Sequence, residues 1–299
     1  MTEILDALSA LKIEYETGYD LSRASSFRIG GLADVAVFPK DERELSFSIS
    51  EIKKQGIRFD IIGRGSNVLF ADEGYRGVLI FTKNMNQMIC YGTKISAMCG
   101  VSLSALAILA RDNSLSGLEF AFGIPGSVGG SVAMNAGAFG GDMKSVVVST
   151  RALNAHTGEI ISIVGDENKF DYRRSIYIEN KNLICLSAEF ELKMRDAEEI
   201  VAIMRQNSTV RRDKQPLELP SCGSFFKRPE GFFAGKLIED CGLKGFSVGG
   251  AQVSLKHAGF IVNTGGATAN DVIKLGETVE KIVFEKFGVK LEREVKYIV

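Results

Sequence analysis

Two glycine-rich segments constrain this chain more than any other feature of its sequence. The first, Gly63-Arg64-Gly65-Ser66-Asn67, follows a strand predicted over 59–62, and the second, GIPGSVGG at 123–130, begins about 60 residues later. Glycines allow backbone N–H groups to approach a phosphate closely. Val68 breaks the GxGxxG pattern, and the second segment lacks a Walker lysine. Two tight turns are one interpretation, but the pair favours loops that hold one extended ligand, as a pyrophosphate requires.

Length and charge exclude several classes of protein. The 299 residues predict about two domains, and 36 basic against 37 acidic residues leave no basic field for nucleic acid or an anionic membrane. No signal peptide or apolar run of membrane-spanning length is visible. The five cysteines form no CxxC pair, and only two histidines occur, so neither a disulfide framework nor a metal site is expected. We therefore expect a cytoplasmic protein with reduced thiols.

Hydrophobic periodicity predicts a chain in which short strands and helices are mixed. The segment 214–224, rich in proline and glycine, is predicted to be irregular, and a domain boundary is placed near residue 200. Predicted helices cover 3–13, 41–55, 102–111, 196–212, 234–241 and 269–287, and predicted strands cover 33–38, 59–62, 78–81, 95–99, 146–155, 160–164, 183–192, 259–263 and 291–299.

Nine short motifs also occur in a fixed order, and in this order they resemble the UDP-N-acetylenolpyruvoylglucosamine reductase (MurB) family, in its shorter type II form. Each motif alone is weak, but their order is specific. The motifs are SFRIGG at 26–31, GRGSN at 63–67, GLEF at 117–120, GIPGSVGG at 123–130, MNAGA at 134–138, YRRS at 172–175, PSCGSFFK at 220–227, AGKLI at 234–238 and LEREV at 291–295.

The resemblance implies an α+β fold with a two-lobed FAD-binding domain of the PCMH type and a smaller α+β substrate-binding domain. The FAD-binding domain is expected over 1–200, with its lobes divided near residue 65. The substrate-binding domain is expected over 201–299, and its last strand is a candidate for return to the FAD-binding region.

The reaction implied by the resemblance has two halves and belongs to peptidoglycan precursor synthesis. NADPH gives a hydride to noncovalently bound FAD. The hydride then goes to C3 of the enolpyruvyl ether of UDP-N-acetylglucosamine and a proton goes to C2, which yields UDP-N-acetylmuramate. The expected partner is this UDP-sugar, and the expected state is a monomer or weak oligomer. The implied cofactor-binding residues are Gly63, Arg64, Gly65, Ser66, Asn67, Gly123, Ile124, Pro125, Gly126, Ser127, Gly129, Gly130, Asn135 and Gly137.

Three residues are implied to act on the enolpyruvyl group. The guanidinium fork of Arg173 can bind the carboxylate, with Arg174 as the competing assignment. Ser224 is the implied proton donor to C2. Glu294 is a second stabiliser of the enolate, which requires it to carry a proton or to act through a bridging water or cation, and Glu292 is its competitor.

Basic residues around the serine motif are candidates for binding the diphosphate of a UDP-sugar: Arg211, Lys214, Lys227 and Lys236, with His257 as a hydrogen-bond partner. Two positions depart from the family pattern, since Arg228 and Gly259 replace the usual asparagines. Neither departure touches the catalytic trio.

Two other functions compete with this interpretation. One is another PCMH-fold FAD oxidoreductase that acts on a sugar or alcohol, which would share the glycine segments without needing Ser224 or Glu294. The other is a nucleotide-binding module without enzymatic activity. Cys222 is interpreted as a packing residue, and His156 as exposed.

Overall fold

A computed structural model describes the whole chain, residues 1–299. The α-helices are α1 Thr2–Ala10, α2 Glu42–Lys54, α3 Leu103–Asp112, α4 Val128–Ala133, α5 Ile176–Glu179, α6 Ala197–Lys214, α7 Ala234–Asp240 and α8 Ala269–Phe287. The strands are β1 Tyr15–Asp20, β2 Leu32–Val37, β3 Phe59–Ile62, β4 Val68–Phe70, β5 Tyr75–Phe81, β6 Met88–Tyr91, β7 Lys94–Met98, β8 Leu115–Ser116, β9 Gly137–Ala138, β10 Gly141–Asp142, β11 Val147–Asn154, β12 Ile160–Val164, β13 Leu183–Glu191, β14 Lys193–Met194, β15 Ser221–Ser224, β16 Ser247–Val248, β17 Ala251–Val253, β18 Phe260–Asn263 and β19 Lys296–Ile298. None of the helices is long and apolar enough to cross a membrane.

Side-chain caps fix the starts of the longer helices. Asp41 accepts hydrogen bonds from two N–H groups of the first turn of α2, and Ser102 accepts one from Ala105 in α3. Helix α8 begins with Thr268, which forms a capping box with Asp271, and ends at Gly288 with a left-handed φ of 69°. The sequence placed Asn270 or Asp271 near this start, and the cap is the threonine before them.

The chain forms two compact units, each built from several segments. The first unit comprises residues 1–16, 35–64 and 77–209. Its largest sheet has five strands in the order β12-β11-β13-β7-β6, with antiparallel pairing throughout. Helix α3 and the second glycine segment belong to the core under this sheet, where Leu103, Leu106 and Val128 are fully buried.

The second unit comprises residues 17–34, 65–76 and 210–299. Its sheet has the order β15-β18-β17-β16, and β19 pairs in parallel with β4. Helix α8 contributes a fully buried stripe to the core, which also contains Phe27 and Leu69. Asp72 accepts hydrogen bonds from the first two N–H groups of α8, at 2.7 and 3.1 Å. The segments 17–34 and 65–76 are therefore integral to this unit.

Two local predictions from the sequence are wrong. The segment 214–224 is not irregular throughout, because Ser221–Ser224 pairs with β18. The closing strand covers only Lys296–Ile298 rather than 291–299. Residues 292–294 lie beside 225–227 through backbone hydrogen bonds and a single β-bridge, which is too irregular for a continuous strand.

Candidate active site

The two glycine segments meet inside the first unit. A Cβ atom built on Gly63 would lie 2.5 Å from the Oγ atom of Ser127. Only a glycine permits this close approach without a shift of its neighbour. The structure therefore brings the start of the first segment against the middle of the second.

The second segment is held in place by backbone hydrogen bonds to residues 99–103. Leu103 N–H donates to the carbonyl of Gly126 at 3.1 Å, and Gly129 N–H donates to the carbonyl of Cys99 at 2.8 Å. A Cβ atom on Gly129 would lie 2.7 Å from that of Cys99. The close packing explains why glycine stands at 129.

Ser127 carries a buried hydroxyl that has no hydrogen-bond partner within the protein. The residue is 2% exposed, and its Oγ atom lies between the two glycine segments. A buried polar atom without a partner indicates a missing ligand atom or water, since such groups are nearly always satisfied. A phosphate oxygen would satisfy this hydroxyl, so the residues present fit the pyrophosphate of FAD.

The end of the first glycine segment belongs to the second unit. Gly65 has a φ of 64°, and a Cβ atom there would lie 1.7 Å from the carbonyl oxygen of Ala24, so no other residue fits. The side chain of Asn67 donates from Nδ2 to the carbonyl oxygen of Glu294 at 3.0 Å. The sequence proposed Asn67 as a cofactor contact and contained no signal for this bond.

Asn135 makes its side-chain hydrogen bonds with the protein itself. It has a left-handed φ of 42°, its Oδ1 atom accepts from Lys144 N–H at 2.9 Å, and its Nδ2 atom donates to the carbonyl of Asp171 at 3.1 Å. Gly137 pairs with Asp142 in a two-stranded ribbon. The Asn135 side chain therefore holds the loop that follows the second glycine segment, and cofactor contact by either residue stays a prediction.

Arg173 and Arg174 have different surroundings in the first unit. Arg174 is exposed and forms an ion pair with Glu179 at 2.7 Å. Arg173 is half-buried, lies over the ring of Tyr172 at 5.4 Å, and has a left-handed φ of 52°. Such backbone strain in a residue other than glycine is concentrated at functional sites. These features favour Arg173 over Arg174.

Ser224 and Glu294 lie on adjacent stretches of chain in the second unit. Glu294 N–H donates to the carbonyl of Phe225 at 2.9 Å, and Lys227 N–H donates to the carbonyl of Glu292 at 2.8 Å. Ser224 ends β15 and is exposed, and Gly223 before it has a φ of 77°. Glu294 is half-buried. The structure thus brings together the backbone segments of two of the three predicted catalytic residues, and Arg173 lies in the other unit.

The two alternatives near this pair have other roles in the structure. Glu292 is exposed and forms an ion pair with Lys227. Cys222 is buried, its Sγ atom donates to the carbonyl of Val68 at 3.1 Å, and burial raises the pKa of its thiol to about 11. A thiol with this pKa is not nucleophilic at neutral pH, in keeping with a packing role.

The remaining basic candidates differ in burial. Arg211 is buried on α6, where burial lowers the pKa of its guanidinium, and its Nη1 atom donates to Gln215 at 3.5 Å. Lys214 is exposed at the end of the same helix. Lys236 is exposed and forms an ion pair with Asp240 at 2.5 Å. Exposed ion pairs of this kind are weak and can be exchanged for a phosphate.

His257 is held as a neutral hydrogen-bond donor. Its Nδ1 atom accepts from Gly259 N–H at 3.1 Å, so the ring proton is on Nε2. Burial lowers the pKa of the imidazole. A Cβ atom on Gly259 would lie 3.0 Å from a ring carbon of His257, a tight contact for any larger residue. Arg228 is the other residue that replaces a usual asparagine, and its guanidinium lies over the exposed ring of Phe233 at 4.9 Å.

Two known protein families match separate parts of the chain. Residues 33–163 match the family description "FAD binding domain", and residues 215–298 match "UDP-N-acetylenolpyruvoylglucosamine reductase, C-terminal domain". The chain is also similar to a glucooligosaccharide oxidase from Acremonium strictum, with 12% identity, a TM-score of 0.51, and coverage of 97% of this chain and 59% of that one. This likeness concerns the fold alone. Together with the domain match, it confirms the predicted α+β fold with an FAD-binding domain of the PCMH type.

Closer relatives identify the family. The UDP-N-acetylenolpyruvoylglucosamine reductase of Listeria monocytogenes serotype 4a is 49% identical over 93% of each chain, and that of Caldanaerobacter subterraneus is 47% identical over 93% of this chain and 91% of its own. The crystal structure of MurB from Thermus caldophilus matches with a TM-score of 0.81 and 32% identity, covering 96% of this chain and 99% of that one. The chain belongs to the UDP-N-acetylenolpyruvoylglucosamine reductase family.

Proposed function

We propose that this protein reduces UDP-N-acetylenolpyruvoylglucosamine to UDP-N-acetylmuramate, with FAD as its cofactor and NADPH as the hydride donor, in peptidoglycan precursor synthesis. The observation that carries the proposal is the pairing of the Ser224 and Glu294 segments in a chain of this family. An oxidase that shared only the FAD-binding fold would have no need of this pair.

The proposed cofactor site uses the glycine segments. Gly63 lies against Ser127 of the second segment, and the buried hydroxyl of Ser127 is proposed to bind the pyrophosphate. The backbone N–H groups of residues 123, 124, 126, 128 and 129 already donate to acceptors within the protein. The chemistry that FAD supplies when bound is hydride transfer, first from NADPH and then to C3 of the substrate. We propose noncovalent binding, because neither glycine segment contains a histidine or a cysteine to which the flavin could be attached.

Arg173 is proposed to bind the enolpyruvyl carboxylate. Addition of a hydride at C3 moves negative charge onto C2 and the carboxylate oxygens, and a guanidinium that binds both oxygens stabilises this charge. The ion pair of Arg174 with Glu179 leaves Arg173 as the better candidate.

Ser224 is proposed to protonate C2 while Glu294 assists the enolate. A serine hydroxyl is a weak acid, but an enolate carbon is a strong base, so a positioned hydroxyl suffices. A charged carboxylate would repel the enolate, so Glu294 acts in its protonated form or through a water. The hydrogen bond from Glu294 N–H to the carbonyl of Phe225 supports the proposal, because it joins the two backbone segments that carry these residues.

Substrate binding is proposed to involve Arg211, Lys214, Lys227, Lys236 and His257 at the diphosphate and its surroundings. The ion pairs of Lys227 and Lys236 are solvent-exposed, so a diphosphate can compete for either lysine. We also propose that the enzyme acts as a monomer or weak oligomer in the cytoplasm, where reduced cysteines are the rule.

The test is turnover by purified protein. We expect NADPH consumption that depends on added UDP-N-acetylenolpyruvoylglucosamine, and a product two hydrogens heavier than the substrate by mass spectrometry. Yellow flavin should appear in the supernatant after acid precipitation, whereas colour in the pellet would contradict noncovalent binding. Oxidation of a free sugar or alcohol, with no reaction of the UDP-sugar, would instead support the competing oxidase function.

A further inference from the structure

Asn67 ends the first glycine segment, but its side-chain amide contacts the chain at Glu294. The Nδ2 atom donates to the carbonyl oxygen of Glu294 at 3.0 Å, across 227 positions of sequence. Two residues further on, Lys296 N–H donates to the carbonyl of Asn67 at 3.1 Å, and the parallel pairing of β4 with β19 continues from there. Asn67 therefore holds Glu294 from the side that leads into β19.

The opposite side of Glu294 is held by the segment that contains Ser224. Glu294 N–H donates to the carbonyl of Phe225 at 2.9 Å, and Phe225 N–H donates to the carbonyl of Gly259 at 2.8 Å. Gly259 N–H in turn donates to Nδ1 of His257 at 3.1 Å. A series of hydrogen-bonded residues thus runs from Asn67 through Glu294, Phe225 and Gly259 to His257, all within the second unit.

The Asn67 bond occupies a place where the backbone offers no regular pairing. Strand β19 begins only at Lys296, and residues 292–294 contact 225–227 through isolated bonds. At this point the carbonyl of Glu294 accepts from a side-chain donor, the Nδ2 atom of Asn67. Asparagine provides an amide donor on a short stem, and aspartate of the same shape cannot donate.

We propose that Asn67 is a positioning residue for the second half-reaction, which fixes the Glu294 peptide and, through Phe225, the spacing between Glu294 and Ser224. This inference rests on the proposed function. It gives Asn67 a role distinct from cofactor binding, because the side-chain bond is made to the chain that carries the acid–base groups. A displacement of reacting groups by about 1 Å can cost about 100-fold in rate, so loss of this bond is expected to slow proton transfer strongly.

The test compares Asn67→Ala, Glu294→Gln and the double variant in separate half-reactions by stopped-flow absorbance. We expect Asn67→Ala to retain flavin and to be reduced by NADPH within a factor of about 3 of the wild-type rate. Its oxidation by the UDP-sugar should slow by about 10–100-fold, with a larger change in kcat than in KM. In the Glu294→Gln variant, adding Asn67→Ala should slow oxidation by the UDP-sugar almost no further. The carboxyl group that Asn67 is proposed to position has already been removed there.

Asn263→Ala is the matched control. The Asn263 side chain also donates to a backbone carbonyl, that of Phe27, at 3.1 Å in the same unit. Loss of the Asn263 side chain should lower Tm. Any effect on the rate of oxidation by the UDP-sugar should be the same in the wild-type and the Glu294→Gln proteins. Asn67→Asp is made in parallel and replaces Asn67→Ala in the comparison if the alanine variant does not fold.

Three results would overturn the inference: loss of flavin from the variant, equal slowing of both half-reactions, or an Asn67→Ala effect that multiplies with that of Glu294→Gln. Each would assign Asn67 to the glycine loop alone. A wild-type protein that does not reduce the UDP-sugar would instead contradict the proposed function, before any variant is compared.

Discussion

The backbone N–H of Glu294 donates to the carbonyl oxygen of Phe225 at 2.9 Å, so the residue that follows Ser224 is bonded directly to the residue proposed to assist Ser224. The two stretches are about 70 residues apart in sequence, and the bond fixes their register. The chemistry proposed for the second half-reaction depends on this geometry.

Ser127→Ala should affect the apoprotein and the FAD complex in different ways. Because the buried Oγ atom has no protein partner, its removal should leave the Tm of the apoprotein unchanged or slightly raised. FAD binding should weaken by about 1–3 kcal/mol, as measured by flavin fluorescence titration, since a hydrogen bond to the ligand is lost.

Ser175→Ala is the control for this prediction. The Ser175 Oγ atom donates to the carbonyl of Ala133 at 2.7 Å, so its loss should lower the apoprotein Tm and leave FAD affinity unchanged. Equal FAD affinity in Ser127→Ala and wild type would show that the hydroxyl does not meet the cofactor.

Arg173→Lys should lower kcat/KM for the UDP-sugar by about 100-fold or more, because a single ammonium cannot reproduce a bidentate carboxylate contact. Arg174→Lys should stay within about 3-fold of wild type, since its partner Glu179 is exposed and surface ion pairs contribute little. Steady-state kinetics at several substrate concentrations measures both values. The reverse order of effects would assign the carboxylate contact to Arg174.

Lys227→Ala should weaken binding of the UDP-sugar by about 1–3 kcal/mol while FAD remains bound, because the diphosphate loses a charged partner. Lys214→Ala is expected to behave in the same way. Glu292→Gln, which removes the ion-pair partner of Lys227, should leave binding equal or tighter. Calorimetric titration of each variant gives the affinity. An unchanged affinity would show that the substituted lysine is a solvated surface residue that does not bind the diphosphate.

His257 should make stability depend on pH below neutrality. Burial lowers the pKa of His257 in the folded protein, whereas an unfolded histidine has a pKa of about 6.5. The unfolded chain therefore binds the proton more readily. The stabilising contribution is present above about pH 6.5 and is lost as the pH falls through the folded-state pKa.

The measurement is Tm between about pH 8 and pH 5, across the range where histidine titrates. The fall in Tm on acidification should be shallower in His257→Gln than in wild type. His156→Gln is the control, because His156 is exposed and its loss should not change the slope. Identical slopes in all three proteins would contradict the neutral, half-buried imidazole of His257.

Local sequence signals were sufficient for much of the fold. Helix α8 was predicted over its whole length, because an apolar stripe with a cap at one end and Gly288 at the other is a local pattern. Strand β15 was missed, because its pairing with β18 depends on residues about 40 positions away rather than on its own composition. The joining of 65–76 to 210–299 in one unit was not predicted for the same reason.

In the candidate site too, local features could be predicted from the sequence, whereas contacts between distant residues could not. The family resemblance proposed Ser224 and Glu294 as site residues, and their roles stay predictions. The glycines at 63, 65 and 129 were recognisable in the sequence because a close approach of the backbone requires glycine there. The bond from Asn67 to Glu294 leaves no mark in the sequence, since it joins a side chain to a carbonyl 227 positions away. The ion pair of Lys227 with Glu292 likewise could not be predicted, because it depends on two distant segments lying side by side in the fold.

The proposed reaction transfers a hydride and then a proton to the UDP-sugar, with the proton from Ser224. The most direct measurement is stopped-flow absorbance of Ser224→Ala in the two half-reactions. Reduction by NADPH should run at nearly the wild-type rate, because no proton is delivered to C2. Oxidation by UDP-N-acetylenolpyruvoylglucosamine should slow by at least about 100-fold, as expected for loss of a positioned proton donor. Equal rates for wild type and variant in the second half-reaction would exclude Ser224 as the proton donor to C2.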